Sequence, residues 1–250
     1  MNEWLDDFKT AVSFLTRLPM PHPEGAMPPN LVRAQRMFPI AGALIGAAVG
    51  LLCIGLRHIG VPDLAAAALA LGVGAMLTGA LHEDGLADVA DGFGGGRDVA
   101  AKLEIMRDSR LGTYGALALL VSFATKLSAL AAIPDGFVVQ SLIAAHALAR
   151  GVLPWMAISL PYARKDGLAA NAGRPDATTA VMAAAFAFAI AWLSLSFANA
   201  VLAAIMAAAG AIGMAWLARR QIGGQTGDVL GGAEQVGETA ILVLLAARLA

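Results

Sequence analysis

The chain has 250 residues, 58% of them apolar and 14% charged, with a net charge of −1 and a mean hydropathy of +0.71. Soluble domains run near about 45–50% apolar and about 25% charged, so this composition excludes an ordinary soluble fold and a disordered chain, and points to membrane spans. The charge balance argues against a nucleic-acid partner, and the single cysteine, Cys53, excludes an intrachain disulfide or a cysteine metal cluster.

In chain order, residues 1–38 come first. The start, MNEWLDDFKT, is acidic, unlike a cleavable signal peptide. Trp4, Leu5, Phe8, Val12 and Leu15 recur at helical spacing with Glu3, Asp6, Asp7 and Lys9 between them. That pattern predicts an amphipathic helix, either lying on the membrane surface or packed on the rest of the protein. Pro19 ends it, and a Pro-rich loop is expected up to Pro29.

A helix needs about 20 mostly apolar residues to cross the hydrocarbon core. Pro39–Leu56 and Leu64–Leu81 carry no charge; Leu111–Ile133 is interrupted only by Lys126, and Gly136–Leu160 only by His146 and Arg150. Ala177–Ala218 is an uncharged run of 42 residues, too long for one helix, and is expected to fold back near Ser196–Asn199. The tail from Thr239 is apolar but short, so a further span requires a helix that starts near Ala233. The expected fold is all-α: a polytopic membrane bundle of six to seven transmembrane helices forming one domain, 1–250. The segments 1–38, 82–110, 161–176 and 219–238 hold 13 of the 17 Lys and Arg residues, and the alternate connections hold only Arg57. By the positive-inside rule the first set faces the cytoplasm, as do nearly all the acids.

The informative segment is 82–110. If the preceding span continues as helix, Asp84, Asp88 and Asp91 fall within a sector of about 60° on one face. Like charges at that spacing repel. Either a divalent cation offsets the repulsion, with an all-oxygen set favouring Mg²⁺ or Mn²⁺, or this is a solvated helix end. Glu83 points about 100° away and is a second-rank ligand; His82 reads as a hydrogen-bonding residue. Gly92, Gly94, Gly95 and Gly96 either stop the helix or let backbone N–H groups approach a phosphate. Arg97, Lys102, Arg107 and Arg110 follow, with Glu104 and Asp108 among them. They either anchor the chain to the cytoplasmic side or hold phosphate oxygens beside a metal, as phosphoryl transfer requires.

The second Gly-rich segment, 219–238, carries Gln225, Thr226 and Asp228, read as phosphate donors and a further metal ligand. Glu234 and Glu238, four apart, either bring a further metal ligand or only cap or solvate the last helix. Within the spans, Arg150 is expected to snorkel to the surface or to pair with a substrate phosphate or one of the acids. Lys126, roughly 20 Å into its span, lies too deep to snorkel and needs such a partner.

The blocks FLTRLPMP at 14–21, FPIAGALIG at 38–46, LTGALHEDGLADVADGFGGG at 77–96, IMRDSRLGTYG at 105–115 and GGQTGDVLGG at 223–232 resemble the cobalamin synthase family of adenosylcobinamide-GDP ribazoletransferases. The resemblance runs in order through nearly the whole chain; 178–216 adds nothing to it. It implies a Mg²⁺-dependent transferase in the bacterial inner membrane, with its active site facing the cytoplasm. The ribose 3′-hydroxyl of α-ribazole, or of its 5′-phosphate, would attack the phosphoryl group that links adenosylcobinamide to GMP. On this reading Asp84, Asp88 and Asp91, with Glu83 and Asp228, hold the metal. Arg97, Lys102, Arg107, Arg110, Gly94, Gly95, Gln225, Thr226, Lys126 and Arg150 bind phosphate, and Asp91 or Asp108 is the general base. The implied partners are the two substrates and the lipid bilayer, with a homo-oligomer or a complex with other assembly enzymes left open. Asp88-Val-Ala-Asp91-Gly92 also echoes the CDP-alcohol phosphotransferases, but their Ala-Arg pair is missing. A cation-coupled transporter would place acids in mid-span and show two matching halves, and neither is evident.

Overall fold

The computed structural model describes residues 3–20, 30–164, 166–167, 170 and 172–249, and the described chain is built of helices. The Pro-rich stretch 21–29, expected as a loop, lies outside the described residues. Helix α1 (Glu3–Leu15) is followed by a short α2 (Leu31–Ala34) that runs through a 3-10 turn into α3 (Phe38–His58). Next come α4 (Asp63–Thr78), α5 (Leu81–Gly95), α6 (Val99–Ile105), α7 (Thr113–Ala132), α8 (Asp135–Gly151) and α9 (Leu153–Ser159). The chain closes with α10 (Ala177–Ser194), α11 (Phe197–Ile222) and α12 (Gly227–Leu249).

Six helical stretches are long and apolar enough to cross a membrane, and a seventh would be the bent pair α4 and α5. The long apolar run breaks where expected. Ser196 caps α11, its hydroxyl accepting from the Asn199 N–H. The last span starts earlier than its apolar tail suggests, because Thr226 caps α12 by accepting from the Val229 N–H and so begins the helix at Gly227. Only 223–226 of the Gly-rich segment is non-helical.

One expectation fails at a point that matters. The span 64–81 does not continue into the acidic segment: Gly79 and Ala80 are both left-handed, at φ 68° and 55°, and α5 turns 91° away from α4. Gly adopts this conformation without strain, whereas Ala80 carries a small penalty. The turn takes the acids out of the line of the span.

Packing follows small residues. Gly42, Gly46 and Gly50 form a stripe on α3, and a Cβ on any of them would run into the backbone of α8 at His146, Leu142 or Val139. Close approach of this kind drives helix association where water provides no hydrophobic drive. Helix α12 sits centrally, against α5, α7, α8 and α11. Helix α1 packs on α3, burying Ala11, Val12 and Leu15. Its Asp7 is buried beneath Arg33 and Arg36, at 2.9 and 2.7 Å. Trp4 and Leu5 remain exposed, so one face of α1 is packed and the other is open. At the far end, Arg57 ties α3 to α7 and α8, donating to the carbonyls of Leu130 and Ile133 and to Asp135, with Asp63 at 3.4 Å.

Candidate active site

Helices α5 and α12 cross glycine on glycine. A Cβ on Gly85 would lie 2.8 Å from the Asp228 carbonyl oxygen and 3.2 Å from the Gly231 Cα. This contact brings Asp84 and Asp88 of α5 beside Asp228 at the start of α12. Asp84 is exposed, and Asp88 and Asp228 are half-buried. Asp84, Asp91 and Asp228 surround Asp88 with like charge, which Arg164 offsets in part. Arg164 donates to Asp228 Oδ2 at 3.1 Å, as does the Thr226 hydroxyl at 3.1 Å.

Asp84 and Asp228 line a cleft. His82 and Tyr162 line it with them, together with Phe14, Leu15, Phe38, Leu81 and Leu153. Tyr162 is held there because residues 161–163 pair with Gln225: the Gln225 N–H donates to the Pro161 carbonyl, and the Ala163 N–H to the Gln225 carbonyl. The donors offered by Asp84, Asp88 and Asp228 are all carboxylate oxygens carrying more negative charge than Arg164 neutralises. Such a set fits a hard divalent cation of the Mg²⁺ or Mn²⁺ type.

The other expected site residues fall elsewhere. Asp91 is buried and spends both oxygens on the start of α7, accepting from the Gly112 and Gly115 N–H groups at 2.8 Å each. Glu83 accepts from Gln235, toward the interior of the bundle. Asp108 is bound by the fork of Arg110, whose hydrogen bonds hold the Asp108 carboxyl below the usual carboxylate range and make it a weak base. Arg107 pairs with Asp166, and Lys102 donates to Gln221 on α11. Gly94 packs on the Tyr114 ring, while Gly95 and Arg97 are exposed. The Gln225 amide donates to the Ala157 carbonyl at 2.7 Å, closing the end of α9.

Lys126 and Arg150 are corrected more sharply, as are the two acids of α12. Arg150 does not snorkel; it is buried against Glu234 at 2.5 Å, with Glu238 at 3.6 Å. Lys126 donates to Gln235 at 2.7 Å and to Glu238 at 3.2 Å. Glu234 and Glu238 solvate nothing: they are buried, one helical turn apart, and they supply the charge that the two cations require. His82 and His146 complete the group, at 3.3 Å from Glu234 and 3.1 Å from Glu238. His146, Glu234 and Glu238 bring three ligand atoms within 4.8 Å of one another, but Lys126 and Arg150 already balance both carboxylates there. The sequence reading missed this group and also Arg164 and Tyr162. Its signal was present in the spans: two deep cations demand two deep anions.

The model of the family described as cobalamin-5-phosphate synthase matches residues 7–246. An adenosylcobinamide-GDP ribazoletransferase of Bradyrhizobium diazoefficiens is 46% identical, covering 96% of this chain and 93% of its own length. One from Rhizobium etli is 44% identical, covering 100% and 99%, and one from a Sinorhizobium species is 42% identical, covering 98% of both. No solved structure matches. With the fold of a multi-pass membrane protein and a match through almost its whole length, the chain belongs to the cobalamin-5-phosphate synthase family.

Proposed function

We propose that the chain transfers the phosphocobinamide group of adenosylcobinamide-GDP to the ribose 3′-hydroxyl of α-ribazole or its 5′-phosphate. The phosphorus–oxygen bond to GMP breaks, a new phosphodiester forms, and GMP leaves. The observation that carries this reading is the carboxylate group Asp84, Asp88 and Asp228, gathered by the Gly85–Gly231 crossing, with Asp84 and Asp228 lining a cleft. These three residues would hold Mg²⁺, which when bound neutralises charge on the diphosphate oxygens. Arg164 fixes Asp228, and the hydroxyl proton passes to a carboxylate of the group. The loop-rich end that bears the cleft also carries most of the basic residues, which supports a cytoplasmic orientation in the bacterial inner membrane.

The test uses the purified full chain in detergent or liposomes, with adenosylcobinamide-GDP, α-ribazole 5′-phosphate and Mg²⁺. GMP release with formation of the nucleotide-looped corrinoid, abolished by EDTA and restored by Mg²⁺, is the expected result. Turnover that survives EDTA, or that survives in both Asp84→Ala and Asp228→Ala, would overturn the metal assignment.

A further inference from the structure

The cleft beside the carboxylates is lined by two chemically different sets of side chains, and only the polar set is accounted for by phosphoryl transfer. The second set is apolar. Phe14 and Leu15 come from the end of α1, Phe38 from the start of α3, Leu81 from the start of α5 and Leu153 from the start of α9. Leu15 and Phe38 are buried, and Phe14 is half-buried, leaving part of its ring open. The rings of Phe14 and Phe38 lie stacked, 5.7 Å apart and within 5° of parallel. A flat face of this kind takes another flat ring in offset-stacked geometry.

The proposed reaction, on which this inference rests, brings three large groups to the site, and their surfaces differ. The corrinoid is broad and fringed with amides. The guanine of the leaving nucleotide carries donors and acceptors along an edge, and burying them unpaired against an apolar wall costs desolvation energy. The base of a ribazole is a small fused aromatic ring with methyl groups where a purine carries its hydrogen-bonding edge. It also sits one glycosidic bond from the ribose that must reach the reacting phosphorus. A base against the apolar residues therefore keeps the ribose in the same cleft as the carboxylates.

We infer that the Phe14–Phe38 wall is the subsite for the aromatic base of the nucleophilic nucleoside, and that Phe14 is a specificity-determining residue for hydrogen-bond-poor bases. Helix α1 thereby has a role in substrate choice as well as in packing. Its position over the cleft is secured by Asp7, locked beneath Arg33 and Arg36.

The test separates the two substrates. Steady-state KM values for α-ribazole 5′-phosphate and for adenosylcobinamide-GDP are measured in the wild type, Phe14→Ala and Phe14→Leu, with thermal midpoints for all three. An α-riboside phosphate bearing adenine replaces the ribazole in a parallel series. Phe14→Ala is expected to raise the KM for α-ribazole phosphate at least tenfold, leave that for the corrinoid within about twofold, and narrow the preference for the benzimidazole over the adenine base. Phe14→Leu keeps the bulk but loses the ring, and falls between. A rise in the corrinoid KM alone would assign the wall to the corrinoid, and equal shifts in both KM values or none would make Phe14 a packing residue; each overturns the inference. If Phe14→Ala does not fold, the Phe14→Leu split decides. If the wild type releases no GMP, the underlying reaction is wrong, and saturation-transfer NMR of free α-ribazole with wild type and Phe14→Leu tests the subsite by itself. No difference there refutes it.

Discussion

Arg150 of α8 and Glu234 of α12 meet inside the bundle, their side chains 2% and 0% exposed and their charged atoms 2.5 Å apart. Neither charge reaches water, so each depends on the other. Breaking a buried pair leaves an uncompensated charge and costs about 3–5 kcal/mol, far more than loss of a surface pair. Arg150→Met is therefore expected to lower the unfolding midpoint of the detergent-solubilised protein severely. Arg150→Met combined with Glu234→Gln removes both charges and is expected to regain more than half of the loss. A double variant no more stable than the single one would show that the pair is not the unit of stability.

The crossing at Gly85 has no room for a side chain. A Cβ there would press on the Asp228 backbone, and both helices would have to move apart. Overpacking of this kind costs about 1–3 kcal/mol. Gly85→Ala is expected to keep its helical circular dichroism while GMP release falls at least tenfold, because Asp84 and Asp88 separate from Asp228.

Asp84 and Asp91 occupy one helix yet should behave oppositely. Asp91 accepts two backbone N–H groups at the start of α7. Its replacement by Ala leaves buried donors unmatched, at about 1–3 kcal/mol. Asp84 is exposed among like charges. Asp84→Asn is expected to leave stability unchanged or slightly raised while turnover collapses. Paired denaturation and turnover measurements on the two variants check this.

Asp108 provides a test at the level of pH. Arg110 holds its carboxyl below the ordinary range, so the group stays ionised throughout the neutral range and cannot shape a pH profile there. Any stability from the Asp108–Arg110 pair would be present above the unfolded pKa and lost as pH falls through the folded one. Asp108→Asn is expected to change turnover by less than about twofold, with an unaltered profile from about pH 6 to about pH 9.

Much of the fold was legible in the sequence, because span length and lack of charge are strong one-dimensional signals. The break before α11 could be read from the length of the run, and its cap from Ser196. The Asp84, Asp88 and Asp228 grouping was also readable, since Asp84 and Asp88 share a helix face and Asp228 follows a Gly-rich turn. The turn at Gly79–Ala80 was hidden, because a left-handed alanine has no sequence signature. Glu234 and Glu238 read as a metal ligand or a wet helix end, because two acids one turn apart carry no sign of the cations they face. Their true partners sit in α7 and α8, and periodicity within one segment cannot see across helices. Asp91 looked like its neighbours for the same reason: what sets it apart is the start of α7, 21 residues away along the chain.

Arg57 gathers four helices at the end opposite the acidic cleft, through two carboxylates and two carbonyls. Arg57 is thus a single rivet through four helices, and its loss would leave two carboxylates and two carbonyls without their shared donor.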